Sequence, residues 1–186
     1  MRLRALVPVA ISCFAAALAA DAPRPAPKLD LMTLEGETFS LSAKKGKVVL
    51  VKFFLTECQH CQRTAKALMP IYNEWRSRGL EVIGVAINPD AVQQVPEFKR
   101  RFGVTYPIAR GDRSTLTTFA DLSAVARFSV PYIFLIDRRG AIRYVHPGED
   151  HAFYANESQN LRAQLDELLR EQPAVTRRAA RKASGN

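Results

Sequence analysis

The feature that most constrains this chain is a junction. Residues 48–55 read VVLVKFFL, almost continuously apolar, as a strand covered on both faces would be. Within a few residues the pattern changes to CQHCQRTAKALMP, where apolar positions return at helical spacing. Ala65, Leu68, Tyr72 and Trp75 fall along one stripe of a helix running from Cys58 to about Arg78, with Pro70 expected to kink it and Gly79 to end it. Two cysteines, Cys58 and Cys61, therefore stand at the first turn of a helix that follows a buried strand. Unpaired backbone N–H groups and the positive end of the helix dipole gather at such a turn, and they favour a thiolate over a thiol. The second sulfur lies about a turn further in, within reach of a mixed disulfide on the first.

Other readings of the pair are open at this point. A structural staple closing so short a loop would add little cross-linking entropy. Haem attachment needs a histidine directly after the second cysteine, and Gln62 stands there. Zinc could take Cys58, Cys61 and the two histidines of HPGEDH, His146 and His151, which otherwise read as surface-loop residues. His60, between the cysteines, would as a cation stabilise the Cys58 thiolate and make the disulfide a stronger oxidant.

The remaining chain reads as alternating elements. LDLMTLEGETFSL suggests a β-hairpin turning at Glu35-Gly36. LEVIGVAI is a second buried strand, DAVQQVPEFKRRFG a helix with a glycine cap, and RSTLTTFADL another short helix. PYIFLIDRRGAIRYV is two strands joined by a tight turn, and ESQNLRAQLDELLREQ an amphipathic helix. The expected architecture is α/β, a mixed central sheet flanked by helices with an N-terminal β-hairpin. A chain of 186 residues suits one such domain.

The ends differ from this body. Arg2 and Arg4 precede an apolar, alanine-rich segment closed by Ala17-Leu18-Ala19, the layout of a secretory signal peptide over residues 1–20. An uncleaved anchor and a lipidated Cys13 are the alternatives, so a membrane tether through the N-terminus is retained. Residues 21–28 form a proline-rich spacer, 29–172 the domain, and 173–186 a basic tail read as disordered. Of the net charge of +9, the first four residues and the tail hold six, leaving +3 on the body. The high isoelectric point is thus an end effect, and no nucleic-acid partner is expected. With Cys13 removed, the mature chain keeps only Cys58 and Cys61.

Strand, Cys-x-x-Cys helix start and SVPYIFLIDRRGAI together resemble the thioredoxin superfamily, and more narrowly the exported TlpA/ResA-like redoxins. The hairpin LMTLEGETFSLSAKKGKVVLV and the segment RGLEVIGVAINPD fit that branch too, so the resemblance covers roughly residues 28–170. It implies a thioredoxin-like fold with Cys58 attacking and Cys61 resolving. It also implies that Pro131 is a cis-proline packed against the pair, exposing the backbone of Val130 to a substrate strand. The chain departs from the pattern in three places near the cysteines. Glu57 replaces a tryptophan before the first cysteine, and Lys52 replaces a buried Asp or Asn six residues before it. The acid that this branch carries after its second strand has only Asp90 as a nearby counterpart. Lys52, if it lies under the pair, would stabilise a Cys61 thiolate, while Glu57 would oppose Cys58 ionisation unless it points to solvent.

The function expected is an exported, periplasmic or envelope thiol:disulfide oxidoreductase, with protein thiols and disulfides as substrates and a membrane or exported redox partner. No cofactor and no resident metal are expected. The Cys-Gln-His-Cys and Val130-Pro131 pairs resemble oxidising DsbA-type sites. A peroxiredoxin-like peroxidase is one alternative, although Leu55 and Val51 stand where that motif places Thr and Pro. A metal carrier or chaperone of the envelope using the two thiols is the other.

Overall fold

The computed structural model describes residues 23–171, so the expected signal segment and basic tail lie outside the described residues. The apolar run forms β4 (Val48–Phe54), and all seven of its residues are buried. It is central because both neighbours pair with it along its length. β5 (Leu80–Ala86) runs parallel on one side and β7 (Tyr132–Ile136) antiparallel on the other. β6 (Ile108–Arg110) extends the sheet beyond β5, while β8 (Ala141–His146) and β1 (Arg24–Pro25) extend it beyond β7. The order is β1-β8-β7-β4-β5-β6, a mixed six-stranded sheet.

Alternation along β4 sends its side chains to two cores. Val48, Leu50 and Phe54 pack with α1 (Gln59–Trp75), α2 (Ala91–Phe102) and α5 (Glu157–Arg170). Val49, Val51 and Phe53 pack on the other face with Leu116 and Phe119 of α3 (Arg113–Ala120). Leu29, Phe39 and Leu41 join this second core from around the hairpin of β2 (Asp30–Met32) and β3 (Thr38–Ser40). The hairpin is fastened to the sheet edge by a Thr33–Ala109 bridge and by Leu34 N–H donating to Ile108 O at 2.8 Å. A short helix α4 (His151–Ala155) inserts Phe153 into the first core.

The expected hairpin, strands and main helices are present, and α1 closes through a 3₁₀ turn (Arg76–Arg78) onto left-handed Gly79. α1 runs unbroken through Pro70. Three expectations need correction. The proline-rich spacer is partly sheet, because Arg24 and Pro25 pair with Ile142 and Ala141 of β8; an edge strand tolerates the proline, which has no N–H to donate. β6 and α4 are additional elements, too short to leave a periodicity in the sequence. His146 is not a surface-loop residue but a buried one ending β8, stacked on Phe153, with one ring nitrogen on Asp150 at 2.8 Å and the other on Gln164 at 2.9 Å. Among the described residues no helix is long and apolar enough to cross a membrane.

Candidate active site

Cys58 is the N-cap of α1, where the chain leaves the sheet at the end of β4. Its extended backbone turns Sγ back over the helix start, and Sγ accepts the N–H of Cys61 at 3.2 Å. The Cys58 thiol points at the carbonyl of Val130, 3.6 Å away. Val130-Pro131 is a cis peptide, as the resemblance implied, and the loop holding it is pinned against residues 147–149. Gly148 N–H donates to Ser129 O at 3.1 Å, and Ser129 N–H donates to Glu149 at 3.2 Å. Tyr154 of α4 donates from its hydroxyl to Pro131 O at 2.8 Å and to His146 O at 3.1 Å. Both cysteines are free thiols.

The two sulfurs sit in opposite environments. Cys58 is half-buried, and its thiol is lowered to about 6. The Cys61 side chain gives the largest contribution, and the N–H groups of Cys61 and His60 and the Arg63 guanidinium add to it against the cost of partial burial. Cys61 is fully buried, and burial above all pushes its thiol far up. One sulfur is thus a ready nucleophile at neutral pH and the other a thiol that ionises only with help.

The histidine between them sits in surroundings that disfavour its charged form. Partial burial first, then the neighbouring Arg63 and His151, lower the imidazole's proton affinity. Its ring stands edge-on to Tyr154, with centroids 4.3 Å apart. His60 reaches Cys58 through its backbone N–H, and the side-chain cation beside Cys58 is Arg63. Glu57 points to solvent and accepts from Gln94 at 3.0 Å, so its carboxylate is turned outward. Asp90 is exposed and accepts from Asn88 at 2.8 Å and also from Gln94, a network that holds the loop before Cys58 rather than lying beneath the sulfurs.

Lys52 is completely buried. Alternation along β4 puts it on the α1 and α5 face, where its neighbours in register are apolar. An ammonium there would be very costly without partners. It donates to Tyr106 Oη at 3.1 Å and lies over the rings of Phe54, Phe98 and Tyr106, at 4.7, 5.8 and 5.7 Å from their centroids. Its charge also acts to lower the Cys61 thiol, a small effect beside burial.

Several contributing residues carried no signal in the sequence. Arg63 lies one turn past Cys58, a spacing that could have flagged it. Tyr154 reaches the Val130-Pro131 loop only through the packing of α4 on the first core. Among the described residues no three His, Cys, Asp or Glu side chains cluster as metal ligands.

The model of the AhpC/TSA family matches residues 23–145. Thiol-disulfide oxidoreductase ResA of Geobacillus thermodenitrificans is 29% identical over 123 residues, 66% of this chain and 67% of that protein. Thioredoxin-like protein YneN of Bacillus subtilis is 31% identical over 125 residues, 66% of this chain and 69% of that one. The solved structure of a thioredoxin-family thiol:disulfide interchange protein from Chlorobium tepidum is similar with a TM-score of 0.67 and 26% identity, covering 81% of this chain and 99% of that one.

Proposed function

The chain belongs to the AhpC/TSA family and is a thioredoxin-like thiol-disulfide oxidoreductase, and on that premise we propose that Cys58 and Cys61 are its working dithiol, acting through a mixed disulfide. The observation that carries this reading is the asymmetry of the pair: a half-buried Cys58 lowered to about 6 beside a sealed Cys61. In the reading, the Cys58 thiolate attacks a substrate disulfide, and the mixed disulfide forms beside the Val130 carbonyl. That carbonyl and its cis-proline loop would then accept the substrate backbone as an added strand. Cys61 attacks Cys58 Sγ and releases the substrate thiol; the reverse sequence oxidises a substrate dithiol.

Lys52 enters the proposal as the buried cation that steadies a Cys61 thiolate, and the substrates as protein thiols and disulfides. Export belongs to the proposal too, resting on Arg2, Arg4 and the apolar segment after them. With it comes an exported or membrane redox partner.

Trapping tests the mechanism. A Cys61→Ala variant has no resolving thiol, so a disulfide-bonded peptide should remain covalently attached to Cys58, visible as a stable mass increase that reductant removes. Wild type should give no lasting adduct, and Cys58→Ala none at all. A stable adduct on Cys61 in the Cys58→Ala protein, with none on Cys58, would reverse the roles.

A further inference from the structure

A basic groove beside the dithiol has no part in the mechanism above. On α1, Gln59, Gln62, Arg63 and Lys66 recur at helical spacing along one stripe. With Arg101 and Phe102 from the end of α2 they line a groove of about 330 Å³. The aromatic wall is fixed by the core: Phe102 packs against the first core and stands 4.9 Å from Phe98, centroid to centroid. Lys66 Nζ and the Arg101 guanidinium lie over the Phe102 ring, 5.5 and 5.4 Å from its centroid.

The three cations of the groove, Arg63, Lys66 and Arg101, are exposed, and none has an ion-pair partner among the described residues. Their neighbours on α2 differ: Lys99 pairs with Glu35 and Arg100 with Glu97. Two acids, Glu57 and Glu97, line the adjoining groove, and both are engaged elsewhere, Glu57 by Gln94 at 3.0 Å and Glu97 by Arg100. The basic groove begins at the nucleophile. Gln59 follows Cys58 directly, and Gln62 N–H donates to Cys58 O at 3.0 Å. Lys66 stands eight residues past Cys58, about 12 Å at the helical rise, a span that about four extended residues cover.

We propose that this groove docks an acidic segment of the protein substrate, with carboxylates within about four residues of the cysteine whose disulfide Cys58 attacks. The inference deepens the mixed-disulfide reading and rests on it. Charge complementarity selects the occupant. Three like charges gathered in one groove repel one another, and carboxylates relieve that repulsion where a neutral or basic segment does not. Exposed ion pairs are weak one at a time, so the groove acts on the rate of capture and the choice among substrates. The covalent step is unchanged: Cys58 Sγ bonds to one substrate sulfur, the substrate disulfide breaks, and the other sulfur leaves as a thiolate with the bonding electron pair.

The test measures capture of disulfide-linked peptide dimers by the Cys61→Ala protein, in which the reaction stops at the mixed disulfide and the adduct is counted by mass. Three dimers of one length carry glutamate, glutamine or lysine on both sides of a single cysteine. Each rate is divided by that of a small neutral thiol with the same dimer, which removes the effect of flanking charge on the peptide sulfur. At low salt the glutamate dimer should be captured about tenfold faster than the glutamine dimer, as two exposed ion pairs supply, and the lysine dimer slowest. The advantage should fade as salt screens the groove. Lys66→Gln/Arg101→Gln in the same background should remove most of it and leave the glutamine dimer's rate unchanged. Lys45→Gln/Lys47→Gln takes the same charge from the opposite end of β4 and should preserve it. Equal rates for the three dimers would overturn the proposal, as would an advantage that Lys66→Gln/Arg101→Gln spares or that both double variants reduce alike. No adduct with any dimer would overturn the mixed-disulfide reading and the proposal with it.

Discussion

At the scale of residues, the chemistry turns on what each sulfur's surroundings do to its proton. Cys58 stands at about 6 where an ordinary thiol stands near 9.0. Its alkylation by a neutral reagent should climb through an inflection near pH 6 and be almost level by pH 7. The same shift fixes a stability trend. A group whose proton affinity is lowered by folding stabilises the native state fully above its ordinary value and loses that contribution as pH falls through the folded one. The reduced protein should therefore become easier to unfold between about pH 9 and pH 6, a slope that Cys58→Ala should flatten. An alkylation inflection near 9 would contradict the assignment.

Much of this residue-level picture was legible in advance. The Cys-x-x-Cys at a strand-to-helix junction placed Cys58 at the start of α1, and comparison with the family's pattern singled out Lys52, which is buried. That burial, Arg63 and His151 disfavour the charged form of His60 was not legible, because those neighbours meet it only in the fold.

At the scale of elements, the site is held by a few close contacts between loops rather than by α1 alone. Gly148 has no room for a side chain: a Cβ there would sit 2.7 Å from the Ser129 carbonyl carbon, in the loop that carries Val130 and Pro131. Gly148→Ala should push that loop off the sulfurs, costing about 1–3 kcal/mol of stability as overpacking does and weakening substrate capture more than Cys58 alkylation. Denaturant unfolding and a steady-state disulfide reductase assay would check this, and an unchanged KM would count against it. The elements themselves were mostly readable because long apolar runs and helical stripes announce themselves. β6, α4 and β1 were not: a three-residue strand and a five-residue helix carry no period, and a proline-rich stretch does not advertise that its backbone reaches a sheet edge.

At the scale of the whole molecule, the sheet sets the site at the C-terminal end of β4, with the first core of α1, α2 and α5 sealing Cys61 and Lys52 from below. That sealing gives the two thiols unlike behaviour from chemically identical groups. The body carries little net charge of its own, because most of the chain's excess cations lie in its first and last residues. The most direct measurement is a redox titration of the reduced protein in thiol–disulfide buffers, counting alkylated thiols by mass, on wild type and Lys52→Met. A single two-electron transition from two free thiols to none at Cys58 and Cys61 is predicted, with a midpoint between thioredoxin's about −270 mV and DsbA's about −120 mV. Lys52→Met should move it to more negative values. An unshifted midpoint in the variant would show that Lys52 does not steady a Cys61 thiolate, and the absence of any two-electron transition in wild type would contradict a working Cys58–Cys61 dithiol.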